Sequence, residues 1–362
     1  MTQKYNMIKE IGSEFWLKPK YDDNYNDNIF KSYEFEQNKT FLLSGRTAID
    51  YVLQDIMLKK DIKKVYFPSY CCQSMLQAFQ DKNIEIVFYK VTYNGKLEYD
   101  IDLNTKCDIF YAMNYFGFEK SRMDYYIEKF ATKQTIIIED ITHSLLSEKM
   151  YNTKSDYMIA SLRKWFPIIS GGLAIKKCGS FEIDAGTFET NKNFYNTKKK
   201  AMEKKSKYIL GETNISKEEF LKEYQESNEE LNKNYKNYTI DEESLEILRN
   251  IDIAEIRENR RQNAKMLISK LNKNVKILFD LKNGDCPLFV PIIVKKEYRN
   301  DLRKYLVDNQ IFCPVHWPKP SIIAENDLYE IELSLICDQR YSEKEMEKEV
   351  NVINNFFEEK EL

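Results

Sequence analysis

Short apolar segments alternate with longer segments of helical spacing through the first half of the sequence. The apolar segments are rich in β-branched and aromatic residues and span residues 65–67, 84–89, 108–113, 135–138, 157–160 and 172–175. Segments with helical periodicity lie between several of them, at residues 47–59, 69–80 and 122–133. Continuous apolar strands that alternate with helices predict a mostly parallel sheet covered on both faces. We therefore expect a large α/β domain.

A second pattern follows residue 250 and predicts a smaller α+β domain over residues 251–362. It consists of helices at residues 251–271, 296–308 and 342–358 and of strands at residues 275–279, 288–294 and 331–336. Residues 1–40 are polar and aromatic and are expected to form an irregular N-terminal arm. The large domain then covers residues 41–250, and its last part, residues 176–250, is a divergent polar segment rich in Lys, Glu and Asn, interpreted as a solvated helical region.

Composition excludes several functional classes. Lysine and arginine number 55 against 58 aspartates and glutamates, so the net charge of −3 argues against nucleic acid as the main partner. The two histidines cannot furnish a multi-histidine metal site, and none of the seven cysteines forms a C-x-x-C pair, so no metal is expected. Neither a signal peptide nor an apolar run of about 18 residues is present, so we expect a cytoplasmic protein without membrane contact.

The first candidate site is the turn Ser44-Gly45-Arg46-Thr47, which ends a strand-like run and opens a helix. The free N–H groups of a first helical turn, next to a glycine that allows close approach, form an anion site. The alternative is a plain strand-to-helix turn in which Ser44 or Thr47 is the cap.

The second candidate site follows the apolar strand at residues 136–138, which leads into Glu139, Asp140 and, three residues later, His143. Open α/β sheets bind ligands at the carboxyl ends of their strands, where this acid pair is expected to lie. The alternative is a pair of solvated acids followed by a buried histidine with a structural role.

The third candidate is Lys164, which is enclosed by Leu162, Trp165 and Phe166. Such apolar surroundings favour the neutral, nucleophilic form of a lysine amine. The pair Gly171–Gly172 then marks a close backbone approach at the start of another strand. The alternative is a lysine whose stem packs on the aromatic rings while its amine reaches water.

Two further stretches lie in the C-terminal part. His316 stands among prolines and aromatic residues at residues 313–318, and Arg340 follows a strand at residues 334–337. Each is also compatible with a structural turn.

An anion site, an acid and an embedded lysine, in this order on an α/β frame, match the needs of pyridoxal 5'-phosphate. Its phosphate binds at helix N-termini, its ring nitrogen pairs with a carboxylate and its aldehyde forms a Schiff base with a lysine. With these motifs the chain resembles the DegT/DnrJ/StrS-like sugar aminotransferase family of fold-type I pyridoxal-phosphate enzymes. The resemblance is collinear over residues 40–355.

The resemblance implies a role for each matched residue. Lys164 corresponds to the lysine that forms the Schiff base and transfers protons, and Asp140 to the acid at the pyridine nitrogen. His143 corresponds to a residue near the ring hydroxyl. The remaining cofactor contacts expected from the resemblance are Ser44, Gly45, Arg46, Thr47, Tyr70, Ser161 and Arg163.

Some positions depart from the family pattern. Ser161 stands three residues before the lysine rather than five; we interpret it as a phosphate contact, with Arg163 as the alternative. The Gly-Tyr-Asn motif by which a partner subunit reaches the phosphate is not recognisable in residues 176–250. Another residue replaces it, or Arg46 or Arg163 supplies that charge.

Three further assignments concern the pocket walls. Tyr70 is the candidate for stacking on the cofactor ring, and Asn114 is expected to line the pocket. His316 and Arg340 are the candidates for the substrate side.

The implied activity is that of an aminotransferase that moves an amino group from an amino acid, glutamate in the first place, to a keto-sugar. The acceptor is expected to be nucleotide-linked, in surface polysaccharide or secondary-metabolite sugar biosynthesis, and the enzyme to be a homodimer. A dehydratase of the same fold is the nearest alternative, although those relatives carry histidine in place of the lysine. A non-catalytic member that binds a sugar nucleotide or a protein, and a nucleic-acid binder using the lysines of residues 198–207, are further alternatives.

Overall fold

The computed structural model describes residues 10–17, 38–211 and 215–360, and within these ranges it contains fifteen strands and ten α-helices. The strands are β1 (Ile11–Gly12), β2 (Lys39–Leu42), β3 (Lys64–Pro68), β4 (Glu85–Tyr93), β5 (Leu97–Asp100), β6 (Ile109–Met113), β7 (Ile136–Asp140), β8 (Tyr157–Ser161), β9 (Gly172–Lys176), β10 (Glu189–Thr190), β11 (Tyr238–Thr239), β12 (Lys276–Ile277), β13 (Val290–Ile293), β14 (Ile311–Phe312) and β15 (Glu332–Leu335). The helices are α1 (Gly45–Met57), α2 (Gln73–Gln80), α3 (Asp124–Ala131), α4 (Lys192–Ile209), α5 (Lys217–Lys233), α6 (Glu242–Arg249), α7 (Ile253–Lys270), α8 (Lys296–Asp308), α9 (Leu328–Ile331) and α10 (Glu343–Glu359).

A ten-stranded sheet forms the centre of the large domain, in the order β10-β11-β2-β9-β8-β7-β6-β3-β4-β5. The five strands β8, β7, β6, β3 and β4 run parallel. On one side β9 pairs antiparallel with β8 and β2 pairs antiparallel with β9, and on the other side β5 pairs antiparallel with β4. The prediction of a large, mostly parallel sheet is confirmed. Parallel order brings the carboxyl ends of β6, β7 and β8 to one edge, where the candidate site lies.

The central strands form because they can be buried on both faces. All five residues of β6 are buried, and β7 is buried from Ile137 to Asp140. Helix α1 covers one face with an apolar stripe at helical spacing, which includes Ala48, Val52 and Ile56. This packing fixes α1 against β8 and β9.

Helix α2 begins at Gln73, four residues later than the sequence pattern predicts. The backbone of residues 69–71 is held outside the helix by Tyr329. Its hydroxyl accepts a hydrogen bond from the N–H of Cys71 and lies within hydrogen-bonding distance of the carbonyls of Ser69 and Cys71. A tertiary contact from the C-terminal part of the chain therefore overrides the local helical periodicity.

The polar segment at residues 176–250 contains α4, α5 and α6, and α4 packs along α5. Its lysines are not uniformly solvated, in contrast to the prediction. Lys198 and Lys205 are buried, because residues 10–17 run across α4 and bring Glu14 against Lys198 at 3.0 Å and Glu10 against Lys205 at 3.5 Å. The ion pairs make the burial of these ammonium groups possible.

The C-terminal part builds a three-stranded antiparallel sheet, β12-β13-β15, which packs with α7, α8 and α10. The N-terminal arm contributes to it: β1 pairs with β14, and Ile11 is buried in the same apolar cluster. The predicted arm at residues 1–40 is thus ordered where it is described, at residues 10–17 and from residue 38. Its other residues lie outside the described ranges.

Among the helices of the described ranges, none combines the length and the apolar character needed to cross a membrane.

Gly172 allows β9 to pass the start of α1 at close range. A Cβ added there would lie 2.0 Å from the carbonyl oxygen of Ser44. We expect Gly172→Ala to lower the free energy of unfolding by about 3 kcal/mol through this overlap. The matched control is Gly179→Ala, where an added Cβ meets nothing and only the positive φ of +73° is strained, at about 1 kcal/mol. Urea denaturation measures both, and equal stability of the two variants would contradict the close approach.

Candidate functional site

The N-terminus of α1 is capped by Ser44, whose side chain accepts a hydrogen bond from the N–H of Thr47. The Thr47 hydroxyl donates to the carbonyl of Tyr235 and is thereby engaged in the protein interior. A Cβ on Gly45 would lie 3.0 Å from Cβ of Ser161, so the start of α1 and the end of β8 border the same narrow space. Ser44 caps the N–H of Thr47 and leaves the N–H groups of Gly45 and Arg46, which come before it, for an anion. The predicted cap and the predicted anion site are therefore compatible.

Asp140 ends β7 and is held by two donors. The Tyr111 hydroxyl donates to its Oδ2 at 2.8 Å, and the N–H of Thr142 donates to its Oδ1 at 2.8 Å. Burial raises the pKa of the Asp140 carboxyl, against the lowering effect of the hydrogen bonds from Thr142 and Tyr111. A buried carboxylate of this kind favours a positively charged partner in the adjacent space.

Glu139 has a different role from that of its neighbour, since successive strand residues point to opposite faces. Its carboxylate accepts hydrogen bonds from the N–H of Asn152, the Ser155 hydroxyl and the Asn114 side chain. Burial raises the pKa of Glu139 to about 6. Glu139 therefore fixes the segment that leads into β8.

Lys164 ends a 3₁₀ turn, Leu162–Lys164, directly after β8. Two hydrogen bonds to Thr142 fix the turn to the segment after β7. The indole N–H of Trp165 donates to the carbonyl of Thr142 at 2.6 Å, and the N–H of Ser161 donates to the Thr142 hydroxyl at 3.1 Å. The amine of Lys164 lies 5.8 Å from the ring centroid of Trp317.

One pocket joins these elements. Its lining includes seven of the residues predicted from the sequence: Ser44, Gly45, Arg46, Asp140, Ser161, Arg163 and Lys164. They come from the start of α1, the end of β7 and the end of β8, which meet at the carboxyl edge of the sheet. An acid, a lysine amine, two guanidinium groups and a helix N-terminus thus face one space.

Both arginines of the pocket have unused donors. The Nε atoms of Arg46 and Arg163 are buried and have no hydrogen-bond partner. Burial lowers the pKa of each guanidinium; for Arg163 the nearby carboxylate of Glu14 acts in the opposite direction. Buried cationic donors without acceptors are costly, and an anionic ligand would satisfy them.

His143 packs behind the pocket against Trp317 with ring centroids 5.8 Å apart. Its Nδ1 accepts a hydrogen bond from the N–H of Phe116, and burial lowers its pKa well below the usual range, with Lys164 adding to the effect. The neutral ring therefore carries its proton on Nε2, which is buried without a partner. His143 is not among the residues that line the pocket.

Two predicted pocket residues lie elsewhere. Tyr70 is buried between Tyr115 and Trp317, with its hydroxyl 3.4 Å from Glu332, and it does not line the pocket. Asn114 donates to Glu139 and accepts from the N–H of Met123, so its amide is used within the protein. The structure does not bring these two side chains to the lining of the pocket, because contacts within the protein occupy them.

The substrate-side candidates also have internal partners. The ring Nδ1 of His316 lies 2.7 Å from the Ser334 hydroxyl, and the backbone N–H of His316 donates to the Glu332 carboxylate. Arg340 forms a two-pronged ion pair with Asp338 and donates to the carbonyls of Ser13 and Glu14. Arg340 thus ties the N-terminal arm to the C-terminal part of the chain, and it is not among the residues that line the pocket.

Several lining residues were not predicted as site residues. Cys72, Ser74 and Met75 line the pocket from the start of α2. Their position after the end of β3, which neighbours β6 in the sheet, could have indicated them. From this stretch the sequence analysis selected the aromatic Tyr70 instead. Leu231 of α5 also lines the pocket, and no local pattern could show that this polar segment folds back onto the site.

The residues present fit pyridoxal phosphate. The start of α1, Ser161 and the unpartnered guanidinium groups suit its phosphate, Asp140 suits a protonated ring nitrogen, and Lys164 suits the aldehyde. The orphaned Nε2 of His143 suits the ring hydroxyl.

No family model and no curated protein sequence matches the chain. Solved structures do. The aminotransferase TlmJ from Streptoalloteichus hindustanus superposes with a TM-score of 0.64 at 12% identity, over 90% of this chain and 87% of that one. The Helicobacter pylori aminotransferase PseC, involved in the biosynthesis of pseudoaminic acid, superposes with a TM-score of 0.62 at 13% identity, over 89% of this chain and 87% of that one. A DegT DnrJ EryC1 StrS aminotransferase from Brucella abortus superposes with a TM-score of 0.59 at 15% identity, over 88% of this chain and 85% of that one.

The chain has the fold of these aminotransferases. The likeness extends over both domains, and at identities of 12–15% it is a likeness of fold. The predicted fold class, a fold-type I pyridoxal-phosphate transferase with a large mostly parallel sheet, is confirmed by it.

Thr142 links the acid and the lysine turn, which leads to a stability prediction. Thr142→Val removes the hydroxyl that accepts from the N–H of Ser161, and we expect it to lower the free energy of unfolding by about 1–3 kcal/mol. Thr142→Ser keeps the hydroxyl acceptor and loses one methyl group, which should lower the free energy of unfolding by about 0.8 kcal/mol. Urea denaturation compares the two, and a valine variant no less stable than the serine variant would disprove the link.

Proposed function

We propose that this protein is a pyridoxal-phosphate-dependent aminotransferase. The observation that carries the proposal is the convergence of Lys164, Asp140 and the start of α1 on one pocket, with unpartnered guanidinium groups beside them. The fold shared with solved aminotransferases supports it.

When bound, pyridoxal phosphate supplies an electron sink that stabilises the charge left on a substrate carbon after proton removal. Asp140, whose position is held by Tyr111 and Thr142, would stabilise a positive charge on the ring nitrogen. Lys164 would bind the aldehyde through its amine and would move a proton at the substrate carbon. Lys164 is half-buried, and its amine lies 5.8 Å from the ring centroid of Trp317.

The other lining residues bind and orient. Ser44, Gly45 and Ser161 hold the phosphate through the helix N-terminus and hydroxyl groups. His143 offers the N–H of Nε2 to the ring hydroxyl. Retention of Lys164 favours amino transfer over dehydration.

The substrates proposed are glutamate as the amino donor and a nucleotide-linked keto-sugar as the acceptor. The role of PseC in the biosynthesis of a sugar acid supports the sugar class. We place the reaction in surface polysaccharide or secondary-metabolite sugar biosynthesis, in the cytoplasm, and propose a homodimer. Light scattering of the purified protein tests the dimer.

The cofactor proposal is tested by absorbance. The protein titrated with pyridoxal phosphate should develop a band in the visible range, and borohydride reduction should leave the cofactor on the peptide that contains Lys164. Lys164→Ala should abolish both signals. Lys177→Ala is the matched control, since Lys177 lies outside the pocket and donates to the carbonyl of Thr153. Wild-type protein that binds no pyridoxal phosphate would refute the proposal.

The reaction is tested by adding amino donors to the loaded protein. Glutamate should bleach the visible band, and Asp140→Ala should slow this step by a factor of about 10²–10³ because the ring nitrogen loses its charged partner. Asp108→Ala is the control, because Asp108 lies at the opposite end of the sheet, where it accepts from the N–H groups of Lys63 and Lys64. A band that responds to no amino donor would exclude transamination.

A further inference from the structure

The end of α5 reaches the pocket and contacts Arg46. Asn232 accepts a hydrogen bond from Nη2 of Arg46 at 2.9 Å, and Gln77 of α2 accepts one from Nη1 at 2.6 Å. The guanidinium group is thereby fixed from two sides, and the Tyr235 ring centroid lies 5.5 Å from its central carbon. The Nε atom is left buried and without an acceptor.

The second guanidinium group belongs to Arg163 and is backed by α4. Its central carbon lies 5.5 Å from the ring centroid of Phe194. Within the described ranges no hydrogen bond or ion pair engages this side chain. The acid that acts on the pKa of Arg163 is Glu14, and its carboxylate is already paired with Lys198.

Arg46 and Arg163 line one pocket, and within the described ranges neither forms an ion pair with a carboxylate. A ligand with more than one negative charge would therefore suit this pocket. The planar fork of a guanidinium group matches the oxygens of a phosphate group in geometry and charge. The free N–H groups at the start of α1 add a partial positive charge on the same side. A phosphate monoester dianion satisfies all of these donors.

We propose that the α4–α5 pair is the positioning element of a phosphate-monoester subsite: Asn232 orients Arg46, Phe194 backs Arg163, and the two arginines bind the dianion within a single chain. This inference rests on the proposed function, in which the monoester belongs to pyridoxal phosphate. It assigns a task to α4 and α5 and names the cationic side chains that bind the phosphate, which the sequence left open.

The test compares ligands with and without the monoester. Dissociation constants are measured by absorbance or fluorescence for pyridoxal phosphate and pyridoxal, and by calorimetry for inorganic phosphate and uridine diphosphate. Arg163→Gln should raise the dissociation constant of pyridoxal phosphate by about tenfold to a hundredfold, and Asn232→Ala should raise it by about threefold to tenfold. The dissociation constant of pyridoxal should change by less than about twofold in both variants, because pyridoxal lacks the phosphate group that the arginines bind.

The matched control is Asn228→Ala. Asn228 is also exposed on α5, one turn before Asn232, and makes no contact with Arg46. Its affinities should equal those of the wild type. Asn232 is itself exposed, so its replacement is expected to leave the fold intact, and thermal unfolding confirms this.

Three results would overturn the inference. They are an unchanged affinity for pyridoxal phosphate in both variants, an equal loss for pyridoxal, and a loss confined to uridine diphosphate, which would assign the arginines to a nucleotide. Failure of the proposed function looks different, because wild-type protein would then bind neither pyridoxal phosphate nor pyridoxal.

Discussion

The site depends on one set of hydrogen bonds around Thr142. Its N–H donates to Asp140, its hydroxyl accepts from the N–H of Ser161, and its carbonyl accepts from the indole of Trp165. These bonds join the carboxyl ends of two neighbouring parallel strands, so the acid and the turn that carries Lys164 form one rigid unit. The sheet delivers the two groups to the same edge, and Thr142 fixes their separation.

Charge is the second constraint. The pocket brings together Arg46, Arg163 and Lys164 against a single carboxylate, Asp140, which is itself held by neutral donors. The three cationic side chains are half-buried, and the buried Nε atoms of the two arginines have no acceptor, a cost that a bound anion would relieve. The start of α1 lines the same pocket, and the end of α5 orients Arg46 through Asn232.

Much of the fold and of the site could be predicted from the sequence. Strand and helix periodicity indicated the α/β class, and the order of the turn at Ser44, the acid at Asp140 and the lysine at Lys164 indicated the cofactor. Predictions failed where a distant side chain decides the outcome. Tyr329 keeps residues 69–71 out of α2, and Cys72 rather than Tyr70 lines the pocket. The N-terminal arm buries two lysines that the sequence pattern predicts to be solvated.

Short-range periodicity and residue type are sufficient to locate most strands and helices and the chemical groups at their ends. Which of these groups share the pocket depends on tertiary packing. Arg46 and Asn232 are 186 residues apart, and the polar periodicity of α5 contains no information about its packing against the start of α1. Contacts of this kind depend on the packing of whole helices against the sheet, which local patterns do not encode.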